Sequence, residues 1–184
     1  LNQLQMALKI IYDAIAEQKK LKIYYRDVNH KGSERIIHPY RVFFREQAWY
    51  LFAYCEFREN TRLFKVLRIK NIEPLEEKYI MYDDGCFARE MQTTFNLVKG
   101  EQEYDVVICF MHPASQWVRE RKWIDNQHIE VVEDNSIIYS CRVSGLVDIK
   151  RWVLGYGSLA KVIQPVELRE AVQSEARKML GYYG

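Results

Sequence analysis

The 184-residue sequence has no apolar run near the about 18–20 residues that a membrane-crossing helix needs. Residues 1–18 lack the basic start and apolar block of a secretory leader. No C-x-x-C pair occurs; the four cysteines are Cys55, Cys86, Cys109 and Cys141. Cys55, Cys109 and Cys141 lie in apolar, strand-like runs. That pattern reads as buried free thiols in a reducing compartment and predicts a cytoplasmic protein. The histidines His30, His38, His112 and His128 lie far apart, without the helical spacing of a metal site. Cys109 and His112 are close, but a strand-to-helix turn accounts for CFMHPAS without nucleophilic chemistry. Gly155-Tyr156-Gly157 follows a predicted helix and precedes a predicted strand. A phosphate loop has the reverse order, so these glycines read as a helix cap. Asp83-Asp84 before Gly85 reads as a turn. No catalytic residue, metal ligand or cofactor is expected.

What is present is an ordinary globular balance, 48% hydrophobic and 28% charged, with 14% aromatic residues that include 13 Tyr. Tyrosine and tryptophan at this density suit surfaces that are half buried and half used. The net charge of +2 hides a strong asymmetry. Residues 19–70 hold 13 Lys or Arg against 5 Asp or Glu, whereas residues 71–103 hold 3 against 8. A localised basic segment favours phosphate-bearing partners.

Periodicity divides the chain. Leu4, Ala7, Leu8, Ile11, Ala14 and Ile15 share one face of a helix over 3–18. Four stretches then read as strands: KLKIYYRD, ERIIHPYRVFFRE, QAWYLFAYCE and TRLFKVLRIKNIEPLE. The second should carry a bulge or be an edge at Pro39, and the last should run into a short fifth piece. Together they predict a small, strongly bent β-sheet or barrel. Residues 76–103 are acidic and only partly periodic, a connector with a short helix near Phe87 to Phe95. Residues 104–184 read β-α-β-β-α-β-α, a ferredoxin-like order. The expected fold class is α+β, with domains at 1–80 and 104–184 and a connector over 81–103.

The strongest chemical signal is TRLFKVLRIK. On a strand, Arg62, Phe64, Val66, Arg68 and Lys70 share a face, where two guanidinium groups could pair with phosphates beside a stacking ring. The competing reading makes Arg62 and Arg68 solvated charges and Phe64 core. Trp49 and Tyr50 must point to opposite faces, so only one joins the core.

The ordered set of motifs resembles the WYL domain of bacterial transcriptional regulators. Trp49-Tyr50-Leu51 matches the tripeptide that names the family. LKIYYRD is similar to its first strand, RIIHPYRVFF to its R-x-x-x-P segment and TRLFKVLRI to its R-x-F-containing segment. DIKRWVLGYGSLAKVIQPVELREAV resembles the C-terminal extension that often follows. The resemblance implies an Sm-like small β-barrel behind an N-terminal winged helix-turn-helix, sensing nucleic acid or a nucleotide-like phosphorylated ligand. Matched by position, it implies a site of Tyr25, Arg26, Arg62 and Arg68, with Trp49 and Tyr50 beside it. Phe64 adds a ring, and His38 an exposed imidazole for phosphate. Leu67 departs from the family, which commonly has Asp there.

The chain opens on Leu1 rather than Met and encodes no three-helix DNA reader in residues 1–20. It therefore reads as the regulatory part of a regulator whose DNA-binding part is missing. A homodimer is expected, with DNA reached through the missing domain and no membrane partner. The alternative is a dimerisation module without its own ligand, using Trp117, Trp123, Trp152 or the Tyr182-Tyr183 tail. A metal nuclease would need clustered carboxylates in the basic segment, and they sit in the connector instead.

Overall fold

Asn2 and Gln5 start the first helix by satisfying each other's backbone. The Gln5 N–H donates to Asn2 Oδ1 and the Asn2 N–H to Gln5 Oε1, each at 2.9 Å. Helix α1 (Gln3–Glu17) buries Ala7, Ile11 and Ala14 and stops at Gln18, which is left-handed with φ 54°. The computed structural model describes residues 2–80, 85–98 and 100–183. The Asp83-Asp84 pair lies outside them. The chain divides into two compact units, Leu1–Phe87 and Ala88–Gly184, each with its own antiparallel sheet. Among the described residues, no helix is long and apolar enough to cross a membrane.

In the first unit, β1 (Lys19–Arg26), β2 (Gly32–Arg45), β3 (Ala48–Cys55), β4 (Asn60–Lys65) and β5 (Ile69–Lys78) form a sheet in the order β4-β3-β2-β1-β5. The register between β2 and β3 shifts between Pro39 and Arg41, beside the residue that lacks an N–H. The predicted fourth strand is interrupted. A 3-10 turn over Val66–Arg68 separates β4 from β5, so Arg68 and Lys70 are not on the β4 strand with Arg62.

The sheet curls. Tyr25 of β1 and Phe64 of β4 meet edge to face at 5.1 Å, although β2 and β3 lie between their strands in the sheet. The Lys65 backbone N–H donates to the Tyr25 hydroxyl at 3.3 Å. Closure into a barrel is not found: the edge strands β4 and β5 do not pair with each other among the described residues.

Cross-strand register assigns the two faces. Residues directly opposite share a face, and alternation carries that face along each strand. The pairs Leu21↔Ile37, Ile23↔Arg35, Ile37↔Cys55, Leu51↔Phe64, Ala53↔Arg62 and Phe44↔Trp49 lie on the inner face. Its apolar members, the exposed Phe44 excepted, pack with α1 as one core. Trp49 is half-buried against that core, and Tyr50 takes the outer face opposite Phe43. The outer face is aromatic as well. His38, Tyr40, Phe43, Phe52, Tyr54 and Tyr79 run across it, and Phe87 packs onto Phe43 and Phe52 at 5.2 and 5.3 Å.

The predicted helix near Phe87 to Phe95 is α2 (Cys86–Gln92). In the second unit, β6 (Glu103–Phe110), α3 (Ala114–Arg119), β7 (His128–Val131), β8 (Ile137–Ser144), α4 (Val147–Leu154), β9 (Ala160–Gln164) and α5 (Val166–Tyr183) follow in order. The sheet order is β7-β8-β6-β9, antiparallel throughout. Pro113 sits just before α3 rather than within its first turn. Trp152 of α4 anchors the aromatic core, touching Phe95, Phe110, Trp123, Tyr139 and Tyr156 at 5.0–5.6 Å. Trp123 and Trp152 are therefore core residues here, whereas Trp117 is 51% exposed. Asp148 is nearly buried and accepts from the Leu97 and Val98 N–H groups at 2.8 and 2.7 Å, which pins the loop before β6.

Candidate functional site

Lysines and arginines of the basic segment meet different fates. At the start of β1 the lysines are neutralised. Lys19 pairs with Glu17 and Glu76, Lys20 with Glu56 and Glu77, and Lys22 with Glu34. Five of the arginines differ. Among the described residues, Arg26, Arg35, Arg58, Arg62 and Arg68 have no carboxylate within ion-pair distance.

Arg35 is the most constrained of these. It is half-buried on the inner face, in register with Ile23 and two residues before the fully buried Ile37. Its guanidinium lies 6.0, 5.6 and 5.9 Å from the rings of Tyr25, Phe57 and Phe64. Nε donates to Ser33 Oγ at 3.0 Å, and Nη1 reaches Cys55 Sγ at 4.0 Å. Neither partner carries the opposite charge. A half-desolvated guanidinium is normally paired, and here three rings, a hydroxyl and a thiol stand where the anion would be. Its unused N–H groups retain the fork that grips a phosphate or carboxylate through two bonds.

Phe57 and Arg58 stand next to it on the 3-10 turn over Glu56–Arg58 that ends β3. Phe57 is 64% exposed and lies between two guanidinium groups, Arg35 at 5.6 Å and Arg58 at 5.1 Å. An exposed ring beside guanidinium groups that lack carboxylate partners has the chemistry to stack a planar group next to an anion. Arg62 is exposed on the same inner face, opposite Ala53.

The residues expected from the sequence fall in three places. Tyr25, Phe64 and Arg62 share the inner face with Arg35, and Trp49 lies further along it. Phe64 is 2% exposed, so it supports the site from the core and cannot be the stacking ring. Phe57 is the exposed ring. Arg26 and Tyr50 alternate onto the outer face, and Arg68 is half-buried in the turn after β4. His38 is on the outer face and is not a free imidazole. Its Nε2 bonds Glu56 Oε1 at 2.9 Å, and its ring stacks on Tyr79 at 5.2 Å and 15°. The Tyr79 hydroxyl donates to the Pro39 carbonyl, and burial pushes its pKa up to about 12. Glu56 is held below the usual carboxylate range by Lys20 first and His38 second.

Arg35, Phe57 and Arg58 were not singled out by sequence reasoning. For Arg35 the signal was available: it shares parity with Ile37, on the face of β2 that also carries Pro39 and Val42. Among the described residues, no three His, Cys, Asp or Glu side chains converge as a metal site.

The comparisons agree with this architecture. Residues 6–74 match the WYL domain and residues 102–180 the WCX domain, which together span most of the chain. The chain belongs to the WYL-domain family, with a WCX domain following. It is 24% identical over 149 residues to the uncharacterized HTH-type transcriptional regulator YobV of Bacillus subtilis, covering 79% of this chain and 45% of that protein. It is 25% identical over 171 residues to protein PafC of Mycobacterium tuberculosis, covering 92% of this chain and 52% of that one. The chain thus spans about half the length of the curated relatives it matches. Among solved structures, a CRISPR Cas-related protein aligns with a TM-score of 0.66 at 11% identity, over 98% of this chain and 52% of the other, a likeness of fold alone. Proteasome accessory factor B/C of Arthrobacter aurescens aligns at 19% identity with a TM-score of 0.44, over 94% of this chain and 26% of that one.

Proposed function

We propose that this chain is the ligand-sensing portion of a bacterial transcriptional regulator, and that it binds single-stranded nucleic acid or a nucleotide-like phosphorylated effector on the inner face around Arg35. The observation that carries the reading is the half-buried Arg35 guanidinium, without a carboxylate among the described residues and beside the exposed ring of Phe57. A phosphate supplies the missing charge and a base stacks on the ring. Arg58 and Arg62 extend the positive surface. The names of the relatives support a regulatory rather than an enzymatic role, and DNA contact would belong to a helix-turn-helix domain elsewhere in the full regulator. The protein would then work in the cytoplasm.

The same reading takes residues 1–80 as the sensing domain, 81–103 as the connector and 104–184 as the extension. The strand order β4-β3-β2-β1-β5 after a leading helix, with the curl that joins Tyr25 to Phe64, supports an Sm-like barrel left open at its edges. The order β7-β8-β6-β9 with β-α-β-β-α-β-α succession supports a ferredoxin-like second domain.

The test is fluorescence anisotropy with short labelled single-stranded DNA and RNA at two salt concentrations. Binding should saturate and weaken with salt, with a logarithmic slope of about −2 for three phosphate contacts. The Arg58→Ala/Arg62→Ala variant should bind more weakly and with a shallower slope. A chain that binds no oligomer at either salt is not a nucleic-acid sensor. Sedimentation then tests the second reading, a dimerisation module, which the exposed Trp117, Tyr182 and Tyr183 favour.

A further inference from the structure

The turn that presents Phe57 is too short to hold itself. It has three residues, Glu56–Arg58, and ends at Glu59, a left-handed residue at φ 49° whose N–H donates to the Glu56 carbonyl at 3.2 Å. A single i→i+3 bond of this kind is weak. Phe57 is mostly exposed, so packing does not fix it either. The firm attachment is the carboxylate of the first residue. Glu56 Oε1 takes Lys20 Nζ at 2.8 Å and His38 Nε2 at 2.9 Å.

Both anchors are themselves held. Lys20 also pairs with Glu77 at 3.0 Å, and the His38 ring is stacked on Tyr79. By strand alternation Lys20 and His38 lie on the outer face, whereas Arg35 lies on the inner face. The turn therefore straddles the end of β3. Its first side chain is clasped on one side of the sheet, and its second is delivered to the guanidinium on the other.

We infer that Glu56 is a positioning residue for the ligand site, acting through the turn it opens, with His38 and Lys20 as its anchors. The inference rests on the nucleic-acid reading above and reassigns His38 from phosphate contact to support. Losing the clasp frees the Phe57 ring but leaves the inner-face charge of Arg35 and Arg62 in place. Base stacking should be lost and phosphate pairing kept.

Two measurements test this on the same chain. The first needs no ligand: amide hydrogen exchange at Phe57, Arg58 and Glu59, compared in the unaltered protein, Glu56→Ala, His38→Ala and Glu56→Gln. Exchange should quicken in both alanine variants. It should stay slow in Glu56→Gln, whose amide oxygen still accepts from Lys20 and His38. Unchanged exchange in Glu56→Ala overturns the inference. The second is oligonucleotide anisotropy. Glu56→Ala and Phe57→Ala should each weaken binding by roughly 5- to 100-fold, the range one stacked base supplies. The double variant should be no worse than the weaker single one by more than about 2-fold, because both remove the same contact. The salt slope should not move, since no phosphate contact is lost. Losses that multiply in the double variant, or a shallower slope in Glu56→Ala, overturn the inference. If exchange quickens as expected but the unaltered protein binds no oligomer, the nucleic-acid reading fails while the clasp stands.

Discussion

Replacing Arg35 by methionine separates what this side chain does for the fold from what it does for a ligand. Three rings lie near the guanidinium at 5.6–6.0 Å, at the outer limit of useful cation–π distance. At about 0.5 kcal/mol each they contribute about 1.5 kcal/mol, and the bond to Ser33 adds about 1 kcal/mol. Against this stands the partial desolvation of a charge with no carboxylate among the described residues, a cost of about 2 kcal/mol for a half-buried group. Methionine keeps the stem packed and offers its sulfur to the same rings. The terms nearly cancel, so Arg35→Met should alter stability by no more than about 1 kcal/mol in a urea melt. Binding should respond very differently. Charge-assisted bonds to a phosphate contribute about 1.5–3 kcal/mol, so affinity for a single-stranded oligomer should fall roughly 10- to 100-fold. The salt slope should become shallower by about 0.7, the share of one phosphate. A loss of more than about 3 kcal/mol of stability with affinity and slope intact would refute the reasoning and make Arg35 a structural cation.

Other expectations concern single interactions. The Glu56 carboxyl is held below its ordinary 4.5 by Lys20 and then His38. Its folded pKa is lower than its unfolded one, so its stabilisation is complete above about pH 4.5 and is lost as pH falls through the folded value. Urea melts from pH 3 to 6 should show an acid-side decline that is smaller in Glu56→Gln. Asp148→Ala strips the Leu97 and Val98 N–H groups of their shared acceptor and should cost about 2–4 kcal/mol, read from the shift in urea midpoint. Gln18 closes α1 in a left-handed conformation at φ 54°, so Gln18→Gly should raise stability by about 0.5–1 kcal/mol in a thermal or urea melt.

Much of this architecture is legible in residue order. The strands of the first unit follow from alternation, an irregularity at Pro39 from its missing N–H, and the second unit from its change of period. Two things were not legible. The break at Val66–Arg68 lies inside a run whose alternation continues unbroken on paper, because a 3-10 turn of three residues is too short to disturb a period of two. Phe57 and Arg58 were missed for the same reason: they belong to a turn, where side-chain direction follows backbone geometry rather than period. Arg35 is a different case. It opens the R-x-x-x-P segment and stands at an inner-face position, a parity it shares with Ile37 and with the exposed Arg62, so its face was legible and its depth was not.

Alternation reports which face a side chain takes, but not how deep it lies. Arg62 and Phe64 share the inner face of β4, yet one is exposed and the other 2% exposed. On a flat sheet two such neighbours would have similar surroundings. Here the curl brings β1 across to β4, so Phe64 meets Tyr25 and is sealed in, while Arg62 is not. The same curl places the Tyr25 and Phe64 rings around Arg35, which lies on a strand between theirs. The inner face therefore does two jobs. Its apolar residues close against α1 as a core, and the half-buried Arg35 guanidinium is left with rings, a hydroxyl and a thiol for neighbours. That residual positive charge, set where the turn after β3 delivers an exposed phenyl ring, is the physical reason to look for an anionic, stackable ligand here.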